Sequence, residues 1–159
     1  MLQVAIEERP DTRVFTVRHV GPYNQIGRAF QTLHEIVTRA GLRAEALVGI
    51  FHDDPRRTPP AQLRSDAGVI VAGSAGLPEG LVELRLPAGR YARTDHVGSY
   101  AGLGAVWTRL LDEWLPQSGY RVDRGLTFEI YLNTPGTVPE AELRTALYAQ
   151  ISQAAKGAS

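Results

Sequence analysis

The chain has no cysteine. That excludes disulfides, thiolate zinc sites, iron–sulfur clusters and a cysteine nucleophile. It also lacks charge of either sign in excess, with 17 Lys plus Arg against 17 Asp plus Glu. A nucleic-acid surface needs concentrated positive charge, and here the arginines are scattered singly, so no direct nucleic-acid contact is expected. No run approaches the roughly 20 apolar residues needed to cross a bilayer, so no membrane partner is expected. The segment Met1-Leu2-Gln3-Val4-Ala5-Ile6-Glu7-Glu8 has neither a basic region nor a long apolar stretch, which excludes a signal peptide and predicts a cytoplasmic location. No Gly-x-Gly-x-x-Gly or Walker loop follows a strand, and no Ser sits in a Gly-flanked elbow. Neither a cofactor nor a metal is expected. Aromatic residues are sparse, at 8% of the chain, so any local concentration of them carries information.

What the chain does have is an internal duplication. His19-Val20-Gly21-Pro22-Tyr23 returns as His96-Val97-Gly98-Ser99-Tyr100, and Ile50-Phe51-His52-Asp53-Asp54-Pro55 returns as Ile130-Tyr131-Leu132-Asn133-Thr134-Pro135. Pro59-Pro60-Ala61-Gln62-Leu63-Arg64-Ser65 returns as Pro139-Glu140-Ala141-Glu142-Leu143-Arg144-Thr145. Residues 1–159 are therefore expected to form a single domain of two repeats, about 1–73 and 81–152, packed around a pseudo-two-fold axis. Gly73 to Gly80, rich in Gly, Pro and Ser, reads as the linker.

Period-2 alternation predicts strands over 2–8, 12–20, 47–51 and 68–72 in the first copy, and over 81–86, 91–97, 127–132 and 143–151 in the second. Helical spacing of Ile26, Phe30, Leu33 and Val37 predicts a helix from about Tyr23 to Ala40, closed by Gly41. Leu103, Val106, Trp107, Leu110 and Trp114 predict a second from about Tyr100 to Leu115. Residues 153–159 are expected to fray. Each copy thus reads as a strand hairpin, a helix and two further strands. Joined side by side, two copies would put both helices on one side of an antiparallel sheet with a groove between them, and clefts between modules are common ligand sites.

The sharpest difference between the copies is Gly49 against Glu129. Glu129 lies in Phe128-Glu129-Ile130-Tyr131-Leu132, the pattern of a buried strand, on the same face as Tyr131. A buried carboxylate is costly unless something charged or hydrogen-bonding meets it. Glu129, Tyr91, Trp107, Tyr131 and Tyr148 are therefore grouped as candidate ligand-binding residues, with Gly49 leaving the room opposite. Flat rings around one anion make a receptor for hydrophobic cations. The alternatives are an edge position where Glu129 meets water or an arginine, and plain core packing for Trp107, whose repeat mate is Phe30. His19 and His96, equivalent in the two copies, read as structural, and His52-Asp53-Asp54 as a turn rather than a cation site. Arg64 and Arg144 are expected to form scaffold salt bridges.

These motifs, with Leu63-Arg64-Ser65-Asp66, Pro87-Ala88-Gly89-Arg90-Tyr91-Ala92 and Phe128-Glu129-Ile130-Tyr131-Leu132-Asn133, resemble the GyrI-like small-molecule-binding domains over about 4–151. That family includes DNA gyrase inhibitory proteins and the effector domains of multidrug-responsive regulators. The resemblance implies an α+β fold, a tandem repeat of strand–helix–strand–strand modules with a central cleft, in which Glu129 anchors cationic aromatic ligands. It also implies two alternatives. One is a hydrolase of strained cyclopropane-type electrophiles, with Glu129 as general base and Tyr131 or Tyr91 as proton donor. The other is a protein-binding inhibitor. DNA gyrase, or a separate DNA-binding protein, is then a candidate partner.

Overall fold

The computed structural model describes residues 2–154; residues 155–159 of the tail expected to fray lie outside them. Eight strands form one curled antiparallel sheet. They are β1 (Ala5–Arg9), β2 (Thr12–Val20), β3 (Ala46–Phe51), β4 (Arg64–Ile70), β5 (Val82–Leu86), β6 (Gly89–Val97), β7 (Tyr120–Tyr131) and β8 (Arg144–Gln153). Their order is β1-β6-β8-β7-β3-β4-β2-β5. The two halves meet at the β3–β7 pairing, where Gly49 stands directly opposite Glu129. The pseudo-two-fold axis therefore passes through the one position at which the copies differ most.

The hairpin expected at the start of each copy does not form. β1 crosses to the other half and pairs with β6, and β5 crosses back to pair with β2. Pro10 and Pro87 stand at the equivalent corners, just after β1 and β5. Alternation identifies a strand and its faces but carries no information about which neighbour it pairs with, so local pattern favoured the hairpin and topology chose the exchange.

The helices lie on one face, as expected. Helix α1 (Gly27–Ala40) follows a 3-10 turn at Tyr23–Gln25 and ends where Gly41 adopts φ 64°, with the Gly41 and Leu42 N–H groups donating to Thr38 and Val37. It buries Ala29 and Leu33 against Phe15, Ala67 and Val69. The second helical segment comprises α2 (Leu103–Thr108), a π-helical stretch (Arg109–Trp114) and α3 (Leu115–Ser118). Leu110, with Trp107 and Trp114 partly buried beside it, covers Ala92, Ala149 and Ile151. The opposite face carries a separate core of Val14, Val48, Ile50, Ile70, Leu86, Tyr91, Phe128, Ile130, Ala146 and Tyr148.

Pseudo-symmetry extends to the loops. The Asp53 carboxylate accepts from the Arg64 N–H and guanidinium, and the Asn133 side chain accepts from the Arg144 N–H. The salt bridge expected at Arg64 is present at 2.9 Å. Among the described residues Arg144 forms none, because Asn133 supplies an amide where the first copy has a carboxylate. His19 and His96 each donate from Nε2 to a carbonyl three residues on, those of Pro22 and Ser99, which ties each strand end to the turn that enters the next helix. His52 and Arg18 both bind the buried Asp66, and the pairing holds that carboxyl below its usual range against the opposing effect of burial.

Candidate functional site

The site is assembled from the middle of the two central strands upward. Glu129 projects from β7 toward the helix face and is only 5% exposed. It is interior in the sheet, flanked by Gly49 on β3 and Leu147 on β8, which removes the edge-strand alternative. Trp107, two residues before the π-helical stretch, donates its indole N–H to Glu129 Oε2 at 2.6 Å. Tyr131, two residues along the same strand and hence on the same face, donates its hydroxyl to Oε1 at 2.9 Å.

Gly49 explains how Tyr131 reaches that position. A Cβ at residue 49 would sit 2.7 Å from the Tyr131 hydroxyl. The phenol tip lies over the bare backbone of β3, a space that no other residue would leave.

Around this centre the duplication supplies aromatic rings in matched positions. Tyr23 and Tyr100 come from the two helix-entry turns, Phe30 and Trp107 from the helices, and Phe51 and Tyr131 from the central strands. Tyr23 packs edge-on to Phe51 at 4.9 Å, Tyr100 tilts against Tyr131 at 5.5 Å, and Phe30 crosses the axis to meet Tyr131 at 5.7 Å. All six residues are only partly buried, so ring surface remains accessible above a nearly enclosed carboxyl. A shallow depression lined by Phe30, Gln31, His34 and Glu35 opens beside Phe30.

Burial raises the Glu129 pKa above the ordinary carboxylate value, partly opposed by the Trp107 and Tyr131 donors and by the field of His96. Burial, and then the adjacent Glu129 charge, pushes Tyr131 well above the usual phenol range and raises Tyr100 as well. Among the described residues no positively charged side chain forms an ion pair with the carboxyl. A carboxyl in this setting favours its neutral, protonated form more than a solvated one does.

Of the residues grouped from sequence, the structure brings together Glu129, Trp107, Tyr131 and Gly49. Tyr91 and Tyr148 need correcting. They point to the opposite face, where Tyr148 stacks on Phe128 at 4.9 Å and Tyr91 donates to the Pro87 carbonyl. The register pairs Phe128 with Tyr148, so Tyr148 shares the side of Phe128 and not of Glu129. Sequence reasoning did not place Tyr23, Phe30, Phe51 and Tyr100 at the site. The available signal was symmetry: Tyr23, Phe30 and Phe51 are the repeat mates of Tyr100, Trp107 and Tyr131.

Comparison with known proteins agrees with this architecture. A DNA gyrase inhibitor from Yersinia enterocolitica is 35% identical over 133 residues, which is 80% of this chain and 84% of that protein. The C-terminal domain of EcmrR superposes with a TM-score of 0.78 at 18% identity, covering 97% of this chain and 99% of that one. SAV2435, solved bound to tetraphenylphosphonium, superposes with a TM-score of 0.68 at 11% identity, covering 95% and 94%. The two structural likenesses establish the fold. The family model described as a GyrI-like small molecule binding domain matches residues 2–152, nearly the whole of the duplicated fold, and the chain belongs to that family.

Proposed function

We propose that the protein is a receptor for hydrophobic, aromatic cations, bound in the groove between α1 and α2 with Glu129 as the anchor. One observation carries this reading: a carboxyl only 5% exposed, held by two neutral donors and roofed by partly accessible aromatic rings. A unit positive charge about 4 Å from the carboxylate gains roughly 4 kcal/mol at an effective dielectric near 20. Each ring face in contact adds about 0.5–2 kcal/mol. Neither contribution is available to a neutral ligand of the same shape. Tetraphenylphosphonium bound to SAV2435 is a ligand of this chemistry on the same fold.

The test is thermal stabilisation by tetraphenylphosphonium, with triphenylphosphine oxide as the neutral control. At 100 times its dissociation constant the cation stabilises by about 2.7 kcal/mol. Equal stabilisation of the wild type and Glu129→Gln, or equal stabilisation by both compounds, contradicts the proposal.

The hydrolytic alternative has less support. The Tyr131 hydroxyl is already committed to Glu129, and Tyr91 lies on the other face, so neither is free to protonate a leaving group. A second reading rests on sequence: the 35% identical relative named a DNA gyrase inhibitor makes gyrase a candidate partner. A supercoiling assay with purified gyrase tests it, and undiminished supercoiling at excess protein removes it.

A further inference from the structure

Nine acids on the strands and their connecting segments have a countercharge within reach. Glu7, Glu8, Asp11, Asp53, Asp54, Asp66, Glu83, Asp95 and Asp112 all pair with arginine. Glu129, more deeply buried than all of these except Asp66, has none among the described residues; its partners are an indole N–H and a phenol O–H. Both are neutral, and burial holds the Tyr131 phenol far from ionisation. The elements around it add little charge. β3 contributes Gly49 and Phe51, β8 contributes Thr145 and Leu147, and β6 contributes Thr94 and His96. The helix-entry turn brings Tyr100, and α1 brings Phe30 with His34 and Glu35 farther out at the depression. Of these, His96 alone is a potential cation whose field reaches Glu129, and its Nε2 is occupied by the Ser99 carbonyl.

A carboxyl with this much burial and no fixed countercharge has two ways to become neutral. It can hold a proton, or it can pair with a cation from outside. The two exclude each other, because a protonated carboxyl presents no charge to the cation. Resting on the receptor reading above, we infer that the site works by exchange: a lipophilic cation enters as Glu129 releases its proton to solvent. The neutral carboxylic acid and the free cation become a carboxylate–cation pair and one solvated proton, so charge and atoms balance. The ligand class follows from this. Permanent cations and amines protonated at working pH exchange for the proton, whereas neutral aromatics leave it in place. Linkage also makes the exchange reciprocal, so acidification expels the ligand.

The probe is tetraphenylphosphonium, which carries no titratable proton, so any proton released comes from the protein. Calorimetric titration of the full chain is run at matched pH in two buffers of different ionisation enthalpy, across the whole pH range in which the protein stays folded. The observed enthalpy should depend on the buffer, corresponding to nearly one proton released per cation at the acid end and falling toward zero as pH rises. Affinity should climb up to about tenfold per pH unit within that window and then level off. Following the Glu129 side-chain carboxyl by carbon NMR in wild-type protein, where folding of a variant is not at issue, should show its titration midpoint drop when the cation is present. Binding with no buffer dependence and an affinity flat in pH overturns the exchange while leaving the receptor reading intact. No binding heat at any pH, together with no stabilisation in the thermal assay, overturns both.

Discussion

Replacing Gly49 by Ala tests the geometry of the site without touching the carboxyl. The new Cβ would lie 2.7 Å from the Tyr131 hydroxyl and 3.3 Å from Phe51 Cζ. The first distance is closer than packed atoms allow, so the phenol must move, and moving it breaks the 2.9 Å bond to Glu129. Losing a buried hydrogen bond to an ionisable partner costs about 1.5–3 kcal/mol. Stiffening the unfolded chain by Gly→Ala returns about 0.5–1 kcal/mol. The net expectation is a loss of about 0.5–2.5 kcal/mol, near 2–4 °C in Tm for each kcal/mol at this chain length. The cause can be isolated with a second substitution. Tyr131→Phe removes the hydroxyl, so in that background Gly49→Ala should be neutral or mildly stabilising. Urea denaturation of the wild type, both single variants and the double variant closes the cycle, with an expected coupling of at least about 1 kcal/mol. If Gly49→Ala costs the same with and without the hydroxyl, the phenol does not occupy the space over residue 49 and the reasoning fails.

Two further outcomes are expected. Because the folded-state pKa of Glu129 is raised, the native state holds this proton more tightly than the unfolded chain does; its stabilising effect is complete below the unfolded value of 4.5 and is lost as pH rises toward the folded value. Stability of the wild type relative to Glu129→Gln should therefore decline with increasing pH above about 4.5 and then level off, measured by denaturation across a pH series; a difference that is constant in pH contradicts the assigned burial. Tyr148→Phe and Tyr91→Phe alter only the opposite face, so tetraphenylphosphonium affinity by calorimetry should stay within about twofold of the wild type, and a tenfold loss would place those residues at the site.

The duplication made much of this protein legible. The motif repeats revealed two halves, and the contrast of Gly49 with Glu129 pointed to the axis, which the β3–β7 register places at that pair. Period-2 alternation correctly put Tyr131 beside Glu129. The same rule would have separated Tyr91 and Tyr148 from them, but only with the β6–β8–β7 register known, and register is a long-range property. Exchange of β1 and β5 between halves was illegible for the same reason. The start of β7 at Tyr120 escaped because Asp123, Arg124 and Gly125 dilute the strand signal. The π-helical stretch escaped because its apolar residues still fit ordinary helical spacing. Tyr23, Phe30, Phe51 and Tyr100 could have been found by carrying each assigned aromatic through the pseudo-two-fold.

The chain contains two tryptophans, Trp107 and Trp114, hence two indole N–H resonances, and only that of Trp107 is bonded to Glu129. Titration with tetraphenylphosphonium should shift the Trp107 indole signal saturably, leave Trp114 nearly still, and do neither with neutral triphenylphosphine oxide. A protein stabilised by the cation while the Trp107 signal stays fixed would mean that the ligand binds elsewhere and that Glu129 is not its anchor.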